Sequence, residues 1–178
     1  MGFKEFALRM YPFWILGILV IGAVIASGNK NLLRIEKSSV IKWVKFLMVI
    51  TVLRTVLYKL MLHPYLDSAI KSAHFLPCTV AFTVFWEDAV HGLPLLILRK
   101  LIGVNKWTIP IHFILTLLFM VEFGLGHVYQ GPLMALILSF YIPYSVKLGD
   151  RRGFGTVMIC HVLYDFFTLF FVKFLTHL

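Results

Sequence analysis

An all-α membrane bundle of about six transmembrane helices is the fold the sequence predicts. Three observations predict it: an apolar composition, a series of long apolar segments, and basic residues confined to alternate connections.

Composition comes first. Of 178 residues, 60% are hydrophobic and 14% charged, with a mean hydropathy of +0.89. An average soluble domain has about 45–50% apolar and about 25% charged residues. A water-soluble fold of this length has too little interior for so much apolar surface. Nothing resembles a linker, a repeat or a low-complexity tract, so residues 1–178 are read as one integral membrane domain.

A membrane span needs about 20 apolar residues at a rise of about 1.5 Å each. Six segments come close, over approximately 12–27, 40–62, 78–98, 107–127, 131–147 and 154–175. The first is followed at once by a basic stretch and further spans, so it is expected to stay as a helix and not be removed as a signal peptide. Residues 63–77, with His63, Pro64, Asp67, Lys71 and Pro77, read as a connector along the interface. The first, third and fifth connections hold Lys30, Arg34 and Lys37, then Arg99, Lys100 and Lys106, then Lys147, Arg151 and Arg152. The second has only Lys71 and the fourth no basic residue. Basic residues in short loops stay on the cytoplasmic side, so the odd-numbered loops are expected in the cytoplasm of a cell (inner) membrane, with both termini outside. The net charge of +9 then belongs to these loops and to contact with anionic membrane lipid. Charges scattered among spans make no footprint for nucleic acid. Cys78 and Cys160 lie in apolar stretches and are expected to pack, and the N- and C-terminal residues carry no myristoylation or prenylation motif.

Acidic residues inside apolar segments cost about 2.5–3.5 kcal/mol each at mid-bilayer and mark function by default. Four of the eight acids, Glu87, Asp88, Glu122 and Asp165, fall there. Histidines accompany them: Glu87 with His91 and His161 with Asp165 are i, i+4 pairs that share a helix face, and His127 ends the fourth span. A lone histidine in a span is more often an interhelical hydrogen-bond partner, and an i, i+4 pair can be simple mutual neutralisation. Three polar groups on three helices, however, must all turn from lipid and therefore toward one another. Arg54 is either a counter-charge to them or a snorkelling side chain. H-E-x-x-H, G-x-S-x-G and P-loop motifs are absent.

In this order the three groups resemble the CAAX protease and bacteriocin-processing (CPBP, Abi) family of intramembrane proteases. That family shows E-E-x-x-x-R, F-x-x-x-H and H-x-x-x-N/D on separate membrane helices. Phe123 to His127 matches the second motif and His161 to Asp165 the third, within a similar core of approximately residues 78–170. The first motif departs from the pattern, because Trp86-Glu87-Asp88-Ala89-Val90-His91-Gly92 contains no Arg. Either Glu87 and Asp88 are the acid pair and Gly92 stands at the Arg position, or Glu87 is the second acid and His91 replaces Arg. Residues 87 and 91 stack on one face while 88 is turned by about 100°. This favours the second register, with His91 holding the Glu87 carboxylate, Asp88 pointing to a neighbouring helix and Trp86 packing.

The resemblance implies a metal-independent endoprotease without cofactor, acting on a peptide or protein substrate near the membrane. Glu87 would be the base that activates water, since a carboxylate shielded from bulk water binds protons more tightly. His127 would align the water, His161 would donate to the oxyanion, and Asp165 would orient one of the two histidines. Two other readings use the same residues: a zinc protease with two histidines and a carboxylate, and an inactive scaffold, chaperone or small transporter. If the fourth helix is straight, His127 and His161 sit at different depths. The turn at residues 124–132 is therefore expected to be a hairpin tip buried in the protein.

Overall fold

The computed structural model describes residues 3–61, 77–128 and 131–176. All of its regular structure is helical, as predicted: α1 (Phe3–Ala26), a 3-10 turn (Lys30–Leu33), α2 (Lys37–Met61), α3 (Pro77–Ile102), α4 (Ile109–Gly126), α5 (Pro132–Ser139), α6 (Tyr141–Arg152) and α7 (Phe154–Thr176). The predicted connector at 63–77 lies outside the described residues except for Pro77, which opens α3. The side chains of Arg54 and Cys78 lie outside them too.

Helix α3 is the axis of the bundle and packs against α1, α4, α6 and α7. Trp86, Ala89, Leu93 and Leu96 recur at helical spacing. They bury one face of α3 against Val24 of α1 and against Phe154, Val157 and Met158 of α7. Leu95, further round, joins Phe123 of α4 and Ile142 and Val146 of α6 in a second cluster. Cys160 is buried, as its apolar neighbourhood suggests.

One predicted span is corrected. Residues 131–147 do not form a single helix but α5 and α6, broken at Phe140. Pro143 has no N–H to give the Ser139 carbonyl, and its ring crowds that oxygen. The Ser139 hydroxyl instead donates to Leu136 O at 2.7 Å, and the Phe140 N–H reaches Ile137 O at 3.3 Å. Starting a new helix at Tyr141 puts Pro143 in a first turn, where a missing donor is no loss. At eight residues, α5 is about 12 Å long and is too short to cross a bilayer.

Among the described residues one helix, Ile109–Gly126, is long and apolar enough to cross a membrane; Trp14–Ala26 and Phe154–Thr168 are shorter apolar stretches. Only 11% of the Ile109–Gly126 stretch is buried in the protein, unlike the central helix of a soluble core. Large apolar side chains are exposed along several helices, among them Leu19 on α1, Phe46 on α2, Phe113 and Leu118 on α4 and Leu136 on α5. Monomeric soluble proteins rarely expose apolar surface on this scale.

The first, third and fifth connections meet at one end of the bundle. Arg34 donates to Arg151 O, and Arg152 Nη1 lies 2.7 Å from Glu36 Oε1. Lys100 pairs with Asp150. Glu36 is also the N-terminal anchor of α2, accepting from the Ser39 hydroxyl at 2.8 Å while its own N–H donates to Thr156 Oγ1. The Ser39 hydroxyl holds the Glu36 carboxyl below its usual 4.5; partial desolvation, the next largest effect, opposes it, and Arg152 and Arg34 add to the lowering. A carboxyl lowered on folding stabilises the fold above its unfolded value, and that contribution disappears as pH falls through the folded value. Melting profiles in detergent should therefore show wild type losing its advantage over Glu36→Gln as pH drops below 4.5. An advantage that is constant with pH would show that the carboxylate contributes nothing here.

Candidate active site

Four helices bring the candidate side chains together: Glu87, Asp88 and His91 from α3, Glu122 and the apolar Phe123 from α4 with His127 capping its end, Tyr141 from α6, and His161 and Asp165 from α7. The break before α6 is what allows Tyr141 to turn inward. Its phenol donates to Asp88 Oδ1 at 2.7 Å.

Asp88 is only 2% exposed. Besides Tyr141 it faces His161, whose Nδ1 lies 3.3 Å from Oδ1. That distance is within ion-pair range, but the approach is off the line of a hydrogen bond, and neither His161 Nδ1 nor Asp88 Oδ2 has a hydrogen-bond partner. The Tyr141 ring leans on the His161 imidazole, with centroids 4.4 Å apart and planes at 44°. The pair is thus held on one side by a hydrogen bond and on the other by ring packing.

His91 is oriented by two contacts. Its Nδ1 lies 2.7 Å from the main-chain carbonyl of Glu87, and its Nε2 meets the carboxylate of Glu122. A carbonyl only accepts, so Nδ1 carries a proton. The contact with Glu122 then requires a second proton, on Nε2 or on the carboxyl. Glu122 is largely exposed on α4, whereas His91 is buried. The expectation that His91 holds the Glu87 carboxylate is therefore corrected. An i, i+4 histidine in a helix can rotate back onto its own backbone, and His91 does so.

Glu87 is partly buried, and its carboxylate makes no hydrogen bond or ion pair with another described residue. It nevertheless lies close enough to His161, Asp165, Asp88 and Glu122 for their charges to act on it. His127 is fixed by its Nδ1, 2.8 Å from Phe123 O, and feels the charges of Asp165, His161 and His91. Phe123 is buried beneath these groups, with its ring 4.5 Å from His127, 5.6 Å from His91 and 5.7 Å from Tyr141. Asp165 acts electrostatically on both His161 and His127 but hydrogen-bonds to neither. Its anticipated orienting role toward His161 is taken by Asp88.

All seven sequence-identified residues thus converge. The corner after α4 makes this possible: the His127 N–H closes on Gly124 O at 3.0 Å and the Gly131 N–H on Val128 O at 2.9 Å. Gly124 and Gly131 are buried there, while Leu125 and Val128 are exposed. The corner is buried on one face only, which is less than the fully buried tip expected; Tyr129 and Gln130 lie outside the described residues.

Two members of the cluster were not assigned roles from sequence. Glu122 was visible as an acid in an apolar span and precedes Phe123 directly, so that signal was present. Tyr141 carries no motif of its own; its inward position follows from the break at Phe140, whose one signal in the sequence is Pro143. Among the described residues no three His, Cys, Asp or Glu side chains are gathered so as to hold a metal ion. No protein-family model, no curated protein and no solved structure matches this chain.

Proposed function

We propose that this chain is an integral membrane protein with about six membrane-crossing segments, the fifth broken into α5 and α6, and that it is a metal-independent intramembrane endoprotease of the CAAX-protease type. The observation that carries the reading is the convergence of acids and histidines inside an otherwise apolar bundle: Asp88 faces His161, His161 and Asp165 lie within electrostatic reach of Glu87, and the same two residues act on His127. Burying so many ionisable groups is costly, and such groups inside an apolar bundle mark functional sites by default.

The contacts favour the register in which Glu87 and Asp88 are the acid pair. In it Gly92 stands at the Arg position of the motif, and a side chain there would meet the Phe154 ring at 2.7 Å and the Ser145 hydroxyl at 2.9 Å. No Arg fits. Asp88, fixed by Tyr141, orients the His161 imidazole through Nδ1 and directs Nε2 to the oxyanion that forms when water attacks the peptide carbonyl. Glu87 takes the proton from that water, with His127 Nε2 aligning it. The Glu87 carboxylate does not itself attack the peptide carbonyl, so no covalent intermediate forms: water adds to that carbon, the C–N bond breaks, and the proton held by Glu87 passes to the leaving amine.

Comparative proteomics of membrane peptides from cells with wild type or Glu87→Gln tests the activity. A set of peptides cut only with wild type is expected. Identical profiles, with Asp88→Asn and His161→Ala also silent, would leave the scaffold reading. Orientation is tested separately with a cysteine at Val104, an exposed loop position. An impermeant thiol reagent should label it from the cytoplasmic side; labelling from outside would invert the proposed topology.

A further inference from the structure

Tyr141 stands outside the motifs and contacts both members of the innermost pair. Its phenol donates to Asp88 Oδ1 at 2.7 Å, and its ring lies 4.4 Å from His161 and 5.7 Å from Phe123. Asp88 Oδ2 and His161 Nδ1 have no hydrogen-bond partner of their own, so the Asp88–His161 approach is not fixed by a direct hydrogen bond. Without the phenol, the carboxylate would be free to turn about its Cβ–Cγ bond. We infer that Tyr141 is a positioning residue that locks the Asp88 carboxylate against the Nδ1 edge of His161, setting the direction in which the other imidazole nitrogen points.

For its kinetic consequence the inference rests on the proposed hydrolytic reading; for its structural consequence it does not. The ring of Tyr141 packs between Phe123 and His161, so Tyr141→Phe keeps the packing and removes only the donor. Substrate contacts are untouched, and the loss therefore falls on kcat while KM stays within about twofold. The size follows from one hydrogen bond to a charged group, about 10- to 100-fold in rate. A purely structural tyrosine would lower the melting temperature without this division.

The test uses full-length protein with 15N-labelled histidine in nanodiscs, the His161 resonances being identified by their loss in His161→Gln. Tyr141→Phe should shift the His161 ring nitrogens and leave those of His112, which bonds Gly103 O near the basic end, unchanged. An unshifted His161 overturns the inference. So does a shift of every histidine alike, which would mean a general change of fold. Kinetics on any peptide shown by proteomics to be cut supply the second arm. A kcat loss at constant KM supports the positioning role, and wild-type kinetics overturn it. Should wild type cut no peptide at all, the protease reading fails, and the histidine resonances still decide whether Tyr141 positions the pair.

Discussion

Asp88→Asn is expected to lower kcat for peptide hydrolysis by about 10²–10⁴-fold while leaving the protein folded. The substitution is nearly isosteric, and Asn Oδ1 still accepts from the Tyr141 phenol, so the packing around a side chain only 2% exposed survives. What disappears is the negative charge facing His161 Nδ1, which fixes the tautomer and stabilises the imidazole when it is protonated. The readouts are turnover of an identified peptide in nanodiscs and the melting temperature of the same preparation. His91→Ala should be milder, because His91 contacts Glu122 and its own helix. The helix face alone argues the opposite order, with Asp88→Asn nearly normal and His91→Ala inactive. Finding that order would return the site to the register in which Glu87 acts without Asp88.

The second large effect is on stability. Gly153 joins α6 to α7 with φ +88, and a Cβ there would lie 2.2 Å from Arg34 O. Gly153→Ala must therefore hold a positive φ with ψ 140, a conformation essentially confined to glycine, at about 1–3 kcal/mol, and also push away the backbone of the first connection. That connection carries the Arg34–Arg151 and Glu36–Arg152 contacts. Together the two effects should destabilise the protein by at least about 2–3 kcal/mol, seen as a melting temperature lower by several degrees in detergent. Gly126→Ala provides the control, since nothing lies within 4 Å of a Cβ at that position. Equal behaviour of the two variants would mean that the junction is looser than its geometry implies.

Much of this was legible in the sequence, for physical reasons that can be named. Composition and long apolar runs dictate helices, since a chain with so little polar surface must satisfy its backbone internally. The i, i+4 spacing of His161 and Asp165, and the acids at 87 and 88, mark helix faces that have to be buried together, and the convergence of Glu87, His127 and His161 follows from that requirement. Spacing cannot say how each ring turns within its face. His91 chose the carbonyl of Glu87 over its carboxylate, a local choice decided by Glu122 arriving from another helix. Whether Asp88 is central or peripheral depends on what faces it. What faces it is Tyr141, delivered by a helix break that Pro143 imposes and that no apolar pattern announces. The sequence by itself determined the all-helical fold and the three polar groups; the tertiary structure alone decided which acid each histidine meets, because partners from distant helices are chosen by packing and not by spacing along the chain.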